Sequence, residues 1–450
     1  MNKLHNQILI ALALLWALSS CKHDPIDGST ETDIQLLSNI KSISPTGSES
    51  YYILPDRTDF DNLPQDPNNP LTTEKVELGK MLFFETGMAL DANHPSAIGT
   101  YSCASCHVPS VGFLPGNSQG MADGAIGFGI NGEGRMISPM YRPSQIDVQG
   151  NRPLSVLNVG YVTNTSWNGQ FGGNNVNEGT DHLWDLDHST EVNHLGYHGL
   201  ESQNIEGLDL HRMVMNRTVA DSLGYKAMFD NAFGDWPEQD RYNKITTALA
   251  ISAYLRTLTT NEAPFQAWLN GNKYALTPSQ KNGALLFFGD AQCYFCHRSP
   301  ALQSNEFHAL GTKGIYQLPN PIATDAGDRR NLGRGGFTRI TADYYKFQVP
   351  QLYNLKNAGF YFHGSSKHSI REVVEYKSAA EPENPDVPRT QISNLFEAVD
   401  LTEEEISNLT DFIENGLYDP NIERHVPDAI LSGNCFPNND PMSRLHLGCN

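Results

Sequence analysis

The sequence is short of positive charge and of cysteine, and it has few charged residues overall. Lys and Arg number 31 against 51 Asp and Glu, so the formal net charge is −20, and this charge would repel the phosphate backbone of a nucleic acid. No nucleic-acid partner is therefore expected. Seven cysteines in 450 residues exclude a small disulfide-stapled scaffold, because a chain of this length buries cores of its own. The acidic composition is typical of a soluble surface, and it also suits a cationic protein or a small neutral substrate.

No stretch is apolar for long enough to span a bilayer as a permanent helix, which takes about 20 residues. The apolar run at residues 8–18 follows Lys3 and ends in Leu18-Ser19-Ser20 before Cys21. This order is typical of an export signal, and its end resembles the lipobox of bacterial lipoproteins. We therefore expect residues 1–20 to be a signal peptide of an exported, periplasmic or cell-envelope protein, held at the membrane by lipid on Cys21. An ordinary signal followed by a stray cysteine is the alternative.

Four cysteines lie in two copies of one motif, Cys103-Ala104-Ser105-Cys106-His107 and Cys293-Tyr294-Phe295-Cys296-His297. In C-x-x-C-H the two thiols add to the vinyl groups of a haem, and the histidine becomes an axial ligand of its iron. Chance would produce about 0.004 copies at this composition. A redox C-x-x-C or a zinc site is disfavoured, because a histidine follows both pairs. The sequence predicts two covalently bound haem c groups, with His107 and His297 as iron ligands.

Two further cysteines, Cys435 and Cys449, lie near the C-terminus. In an oxidising compartment they are expected to form a disulfide that closes the tail at residues 426–450. A free or an intermolecular pair is the alternative.

A similar segment precedes each motif, at residues 71–84 and 276–288, which indicates a duplicated module. In the second copy Thr277, Pro278 and Gln280 are typical of a helix N-terminus. We expect the apolar ends of both helices to pack on a haem, or otherwise on the core.

The rest of the pattern predicts a mainly α protein with long loops. Residues 242–258 are apolar at helical spacing, strand signals are sparse, and the loops are rich in Gly, Asn and Pro. We expect two cytochrome c-type haem domains, at residues 71–240 and 241–425, with the helix at 242–258 opening the second. Residues 21–70 are polar and lack apolar periodicity, which favours a tether and a surface segment.

The order of the segments around the two motifs resembles the bacterial di-haem cytochrome c peroxidases and their relative, the di-haem enzyme of methylamine utilisation. The matching stretches lie between Leu71 and about Leu417, at residues 78–83, 152–159, 167–169, 200–203, 347–354, 361–364 and 401–405. The resemblance implies that the first haem reacts with hydrogen peroxide. It also implies that the second haem receives electrons from a small redox protein and passes them on.

Peroxide can bind only to an iron with an open face. Peroxidases of the family usually place a distal histidine shortly after the first motif, whereas the loop at residues 108–151 contains no histidine. We therefore expect an iron that is open in the resting state, as in the methylamine-utilisation relative. The alternative is that Met121, Met136, Met140 or a histidine from residues 182–198 closes the face.

By resemblance Gln203 holds the peroxide, whereas the glutamate that the family places about ten residues later is replaced by His211-Arg212-Met213. Cleavage of the O–O bond needs a group that moves a proton. Either His211 or Arg212 serves as acid/base or charge stabiliser, or Glu201 or Glu206 does, or the activity differs. A His-Arg pair without a catalytic role is the remaining reading.

Residues 170–198 resemble an insertion that carries four histidines. A metal site is one reading, but loop residues are the expected one, because no tight ligand spacing appears. The four are His182, His188, His194 and His198.

The resemblance implies three further features, which are an electron relay, a calcium site and a sixth ligand of the second haem. Trp167 matches the aromatic residue between the haems and is a candidate electron relay, with core packing as the alternative. Calcium between the haems would be bound by the Asn151 side chain and the carbonyls of Ala358 and Phe360, although Asn151 and Arg152 stand in the reverse of the usual order.

The sixth ligand of the second haem is expected from the helix after residues 361–364, where Tyr376 is narrowly favoured over Lys377. His308 and His363 are expected to contact propionates or other structure rather than iron.

The sequence is interpreted as a lipid-anchored di-haem peroxidase that reduces hydrogen peroxide to water. Electrons would pass from a small redox protein through the second haem and Trp167 to the first haem. One alternative is oxidation of a protein partner by a high-valent haem, and another is a simple electron carrier. An oligomer is compatible with the sequence.

Overall fold

The computed structural model of the protein describes residues 29–449. The predicted signal peptide and Cys21 lie outside these residues. None of the described helices combines the length and the apolar character that a membrane span requires.

Helices and long loops dominate the described residues, which confirms the mainly α class. The α-helices, numbered in chain order, are α1 Glu31–Ile43, α2 Thr73–Phe84, α3 Gly199–Leu210, α4 Arg217–Ser222, α5 Lys226–Ala232, α6 Lys244–Arg256, α7 Pro264–Leu269, α8 Pro278–Phe287, α9 Arg334–Thr338, α10 Ile370–Ala379, α11 Glu403–Asp411 and α12 Pro441–Leu447. Two antiparallel ladders of two-residue strands join loop segments. They are β1 Ala125–Ile126 with β2 Met136–Ile137, and β3 Phe307–His308 with β4 Phe347–Gln348.

The first hydrophobic core is built around α2, α3 and α6. The side chain of Thr72 caps α2 by accepting a hydrogen bond from a backbone N–H of its first turn. Gly79 allows α2 to cross α6 closely, because a Cβ at this position would lie 1.8 Å from the carbonyl oxygen of Ala250. Cys103 and Cys106 pack against this core.

The second core repeats the arrangement with α8 and α11. Thr277 and Gln280 form the predicted capping box at the start of α8. A Cβ at Gly283 would lie 2.0 Å from the carbonyl oxygen of Asn408. The close contact of Gly79 in the first core is thus repeated in the second. Cys293 packs against this second core, so each core contains one C-x-x-C-H segment.

Helix α6 packs on α2 and α3, although the boundary expected at residue 240 assigns it to the second half. All residues from Thr246 to Arg256 are buried, and Arg256 forms a buried ion pair with Glu201 at 2.7 Å. By its packing α6 therefore lies with the first core, while the domain boundary at residue 240 stays a prediction. A helix that is buried on every side has no amphipathic stripe, so its sequence does not indicate which neighbour it packs against.

Residues 29–54 pack on the second core, in contrast to the tether and surface segment expected there. Leu36 and Ile40 of α1 are fully buried in it. Asp33 accepts a hydrogen bond from Nε1 of Trp268 at 2.7 Å and pairs with Lys281 at 2.8 Å. Burial opposes ionisation, but the bonds from Lys281, Thr30 and Trp268 outweigh it and lower the pKa of Asp33 to about 2.

The C-terminal tail returns to the first core. The predicted disulfide between Cys435 and Cys449 is confirmed. Within the tail, the carbonyl of Pro437 accepts hydrogen bonds from Oγ of Ser102 at 2.9 Å and of Ser105 at 3.2 Å. These serines flank Cys103, so the tail covers the outside of the first motif.

Candidate functional site

Each C-x-x-C-H motif folds as one tight turn followed by the histidine. The backbone N–H groups of Cys106 and His107 both donate to the carbonyl of Cys103, at 3.2 and 3.1 Å. The second motif repeats this pattern at 3.3 and 3.1 Å. None of the four motif cysteines forms a disulfide. Both thiols and the imidazole of each motif are therefore available together.

Both motif histidines are oriented by a backbone carbonyl. Nδ1 of His107 lies 3.1 Å from the carbonyl oxygen of Phe113, and Nδ1 of His297 lies 2.8 Å from that of Leu302. Since a carbonyl only accepts, Nδ1 carries the proton and Nε2 keeps its lone pair for a metal. Burial lowers the pKa of both imidazoles to about 4. Each is therefore a neutral ligand, and the residues of both motifs fit a covalently held haem.

The helix before each motif places a phenylalanine against the histidine in the same way. The ring centroids of Phe83 and His107 are 6.4 Å apart, and those of Phe287 and His297 are 6.3 Å apart. The interplanar angles are 43° and 48°. The duplication that the sequence predicts is therefore repeated in the geometry around both histidines.

His211 follows directly after the end of α3 and forms a close pair with a carboxylate. Its Nδ1 lies 2.6 Å from Oδ2 of Asp147. Burial would lower the pKa of His211, but the charge and hydrogen bond of Asp147 outweigh it and raise the pKa above its usual value. The charge of His211 also contributes to lowering the pKa of His107, so the pair lies within electrostatic range of the first motif.

Arg212 adopts a left-handed backbone conformation with φ of 56° and pairs with a second aspartate. Its Nη1 lies 3.2 Å from Oδ2 of Asp123, which has no exposed surface. Oδ1 of Asp123 accepts a hydrogen bond from the Tyr141 hydroxyl at 2.5 Å. A backbone hydrogen bond from Asp147 to Asp123 at 2.9 Å holds the two aspartates side by side.

Sequence reasoning missed Asp123, Asp147 and Tyr141. A signal was present, because the two aspartates are two of only three acidic residues in the loop at residues 108–151. Their partners lie far along the chain, so the loop sequence alone does not pair them with His211 and Arg212.

Helix α3 carries the three other candidates for peroxide chemistry in different surroundings. Gln203 is exposed. Glu201 is fully buried and both of its oxygens accept from the Arg256 guanidinium, at 2.9 and 2.7 Å. Burial raises the pKa of Glu206, one turn after Gln203. Glu201 is thus engaged in the first core, whereas Gln203 and Glu206 lie on one face of the helix.

The methionines named for the open iron face lie in different places. Met121 packs in a small cluster with Tyr141 and Val148, whereas Met136 and Met140 are 52% and 58% exposed.

The histidines of residues 182–198 form local contacts instead of a cluster. His188 pairs with Glu191 and His194 with Asp185, all at exposed positions. Among residues 29–449, no group of three or more His, Cys, Asp or Glu side chains is arranged to hold a metal ion.

Trp167 lies at a junction between segments of both halves. Its Nε1 donates a hydrogen bond to the carbonyl of Arg152 at 2.6 Å. Its ring packs edge-on against Phe347 at 6.3 Å and against His363 at 6.1 Å. His363 is stacked on Phe347 at 3.5 Å, and burial lowers its pKa to about 3, so it is neutral.

The residues expected to bind calcium have different surroundings. The carbonyl of Ala358 accepts a hydrogen bond from Nη2 of Arg152 at 2.9 Å. The amide nitrogen of Asn151 donates to the carbonyl of Arg330 at 3.3 Å, while its Oδ1 is buried without a partner. The Arg152 guanidinium also lies over the ring of Phe360, at 5.4 Å from its centroid. A charged side chain therefore uses one of the expected ligand atoms.

The two candidates for the sixth ligand of the second haem differ in their contacts. The Tyr376 hydroxyl donates to the carbonyl of Leu310 at 2.7 Å. Nζ of Lys377 lies 4.7 Å from the ring centroid of Phe396, and burial lowers the pKa of this lysine. The charge of Lys377 also contributes to lowering the pKa of His297. These contacts favour Lys377 as the residue that faces the second motif.

His308 and His363 bond to protein groups. Nδ1 of His308 lies 3.0 Å from Oγ of Ser393, and Nδ1 of His363 lies 3.3 Å from Oγ1 of Thr312. These contacts agree with a structural role for both residues.

Comparison with known proteins gives a consistent result. The family model described as di-haem cytochrome c peroxidase matches residues 73–274. The methylamine utilization protein MauG of Methylorubrum extorquens is 30% identical over 362 residues, which cover 79% of this chain and 81% of that protein. The cytochrome c551 peroxidase of Nitrosomonas europaea is 27% identical over 306 residues, which cover 68% of this chain and 73% of that protein.

A solved structure has a similar fold. The crystal structure of a MauG-like protein associated with microbial copper homeostasis matches with a TM-score of 0.57 and 22% identity, covering 82% of this chain and 95% of that one. At this identity the likeness concerns the fold.

Proposed function

Because the chain belongs to the di-haem cytochrome c peroxidase family, we propose that it is an exported peroxidase that reduces hydrogen peroxide to water with electrons from a small redox protein. Each hydrophobic core would hold one haem c, bound through Cys103 and Cys106 in the first and through Cys293 and Cys296 in the second. When bound, the haems would supply redox-active iron, and the first would also offer the site for peroxide.

One observation carries the assignment of different roles to the two motifs. Their cysteines and histidines are arranged alike, but the His211–Asp147 pair lies near the first, whereas the half-buried Lys377 lies near the second. Proton transfer is needed where peroxide is cleaved, and it is not needed where electrons enter. This difference supports the first motif as the peroxide site.

We propose His211 as the group that moves the proton. Asp147 only accepts hydrogen bonds, so Nδ1 of His211 carries the proton of that pair and Nε2 is free to take a proton and return it. The negative charge of Asp147 stabilises the imidazolium that forms. The role of the Arg212 guanidinium would be to stabilise negative charge, with Asp123 fixing its position. Gln203 would hold the peroxide by hydrogen bonds.

Trp167 would relay electrons between the halves. Its ring contacts Phe347 and His363 of the second half, and its Nε1 bonds to the backbone of Arg152. The indole is thus held at the junction by a hydrogen bond to a backbone carbonyl.

For the second haem we propose Lys377 as sixth ligand in preference to Tyr376. The Tyr376 hydroxyl is bonded to the Leu310 carbonyl, whereas burial lowers the pKa of Lys377 and so favours the neutral amine that a metal requires.

A second candidate function is oxidation of a partner protein. The loop at residues 108–151 contains no histidine that could close the first iron, and the M. extorquens protein that is 30% identical is named for methylamine utilization. A protein that reacts with peroxide in its ferric state would suit this role.

A stopped-flow optical experiment on the holo-protein separates these candidates. The ferric and the half-reduced forms are each mixed with one equivalent of hydrogen peroxide. Fast oxidation of the half-reduced form alone supports a peroxidase that is controlled by the second haem. A long-lived product from the ferric form supports oxidation of a partner protein. No reaction in either form contradicts both functions and leaves an electron carrier.

The location is part of the proposal. Lipid on Cys21 would hold the protein at a membrane surface of the cell envelope. Replacing this residue by serine, C21S, should move the holo-protein from the membrane fraction to the soluble fraction after cell lysis. Wild-type protein found in the soluble fraction would contradict the proposal of a lipid anchor on Cys21.

A further inference from the structure

Arg152 is a buried cation whose charge is balanced by carbonyl dipoles. It is 2% exposed. Its guanidinium donates to the carbonyls of Pro115 and Ala358 at 2.9 Å each and also to that of Asn117. No ion pair of Arg152 with a carboxylate is found within residues 29–449. Burial lowers its pKa to about 9, so it remains charged at neutral pH.

The three carbonyls belong to different parts of the molecule. Pro115 and Asn117 lie in the loop after the first motif, and Ala358 lies in the second half. The backbone of Arg152 is held at the same junction, since its N–H donates to the carbonyl of His363 at 2.8 Å and its carbonyl accepts from Trp167 at 2.6 Å. The guanidinium therefore joins both halves beside Trp167.

We propose that the Arg152 guanidinium takes the place of the calcium ion that the family resemblance implies, so that this protein joins its two halves without a metal. Calcium requires carbonyl oxygens at about 2.3–2.6 Å. An ion bound to the Ala358 carbonyl would share that oxygen with Nη2 of Arg152, and two positive charges so close together repel each other in a buried site. The inference holds for either candidate reaction.

The orphaned Oδ1 of Asn151 makes the proposal testable. This atom is buried without a hydrogen-bond partner. If the guanidinium is removed, the carbonyls of Pro115, Asn117 and Ala358 also lose their donor. The variant R152A would leave three carbonyl oxygens without a donor, and the neighbouring residue carries the partnerless Asn151 amide oxygen. Carbonyl and amide oxygens are ligands that calcium accepts. We therefore expect calcium to rescue this variant and to leave the wild type unchanged.

Arg334 supplies a matched control. It is 6% exposed, and burial lowers its pKa to about 10. It also donates to backbone carbonyls across the two halves, those of Asn168, Gly169 and Val176. Its acceptors do not include the Ala358 carbonyl, so R334A should lose stability without gaining a response to calcium.

The experiment measures calcium content and thermal unfolding of the holo-protein, the R152A variant and the R334A variant. Each is treated with EGTA, desalted, and then scanned with no addition, with millimolar calcium or with millimolar magnesium. Wild type should contain no stoichiometric calcium, and its melting temperature should not respond. R152A should melt at least about 5 °C lower, and calcium alone should restore most of the loss. R334A should melt lower in all three conditions.

Two results would overturn the proposal. One is wild-type protein that holds one calcium ion per chain and loses stability with EGTA. The other is an R152A variant whose melting temperature ignores calcium. If R152A does not fold, the calcium content and EGTA response of the wild type still decide the question, and R152K tests whether a charge at this position restores folding.

Discussion

At the scale of single residues, the first motif is distinguished by a histidine–aspartate pair within electrostatic range of His107. His211 and Arg212 each pair with one aspartate of the loop at residues 108–151. In the proposed mechanism the Asp147 carboxylate holds Nδ1 of His211 and leaves Nε2 as the reactive atom, while Asp123 fixes the position of Arg212. In this mechanism the two ion pairs would take the place of the family glutamate, with the proton moved by His211 and the positive charge supplied by Arg212.

The pH dependence of peroxide turnover should follow His211. Neutral Nε2 is needed to take the first proton, so turnover should fall as pH drops through the His211 pKa, which Asp147 raises above the usual value. The variant D147N keeps the shape of the partner and removes its charge, so the acid limb of the rate profile should move to lower pH. An unmoved limb contradicts the assignment. The variant H211N should lower turnover about 100-fold.

Gln203 should contribute through the hydrogen bond to peroxide. We expect Q203A to lower peroxide turnover at least about tenfold. The matched control is N204A, because Asn204 points away on the same helix and bonds to Oγ of Ser252 at 2.8 Å. Equal rates for Q203A and wild type would remove Gln203 from the mechanism.

The ligand of the second haem can be read from spectra and potentials. K377M should change the absorption and EPR spectra of the second haem and raise its reduction potential, because a thioether favours the reduced iron more than an amine does. Y376F should leave both unchanged. The opposite pattern, with a changed spectrum in Y376F only, would identify Tyr376 as the ligand.

At the scale of elements, one helix pairing is used twice. In α2 and in α8 a glycine stands four residues before the phenylalanine that contacts the motif histidine. Both glycines lie against a backbone carbonyl of the crossing helix, α6 or α11. The close crossing brings each phenylalanine to its histidine. The position of the motif histidine therefore depends on a glycine in the preceding helix.

We expect G79A and G283A to be destabilised to a similar extent. The added Cβ would lie 1.8 Å from the Ala250 carbonyl oxygen or 2.0 Å from that of Asn408, so the helices must separate, at a cost of about 1–3 kcal/mol or more. The control is G160A, where the nearest atom is 3.5 Å from the new Cβ. Denaturant unfolding of the holo-proteins measures the difference, and stability of G79A equal to that of G160A would contradict the close crossing.

At the scale of the whole molecule, both ends of the described range, residues 29–449, pack back on a hydrophobic core. Residues 29–54 pack on the second core, and the tail after Ile430 packs on the first. The tail bonds to Ser102 and Ser105 and pairs Asp440 with the buried Arg135 at 3.7 Å. The first motif is therefore covered by the last part of the sequence.

The disulfide should stabilise this covering segment. The double variant C435S/C449S opens a loop of 14 residues, for which a loss of about 2–4 kcal/mol is expected. Hydrogen exchange should increase in the tail and around Ser102, with little change near the second motif. Unchanged exchange around Ser102 would show that the tail holds its place without the disulfide.

Local patterns determined much of this protein from sequence alone. The haem motifs are continuous in the chain, and their turns and histidine orientation use neighbouring residues. The helix starts at Thr72 and Thr277 follow from capping side chains three residues from their partners. The pairing of Cys435 with Cys449 follows from the absence of other nearby cysteines. Such features depend on short chain separations, so sequence spacing describes them well.

Tertiary structure decided the features that depend on distant partners. These features are the places of α1 and α6, the pairing of His211 with Asp147, the different contacts of Tyr376 and Lys377, and the bonds of Arg152. Each joins residues far apart in the chain. The sequence pattern of a capped helix or of a single aspartate is the same whichever core the residue packs against. Burial then fixes the outcome, because each buried charge must find an opposite charge or a set of carbonyl dipoles, and only the folded chain brings these together.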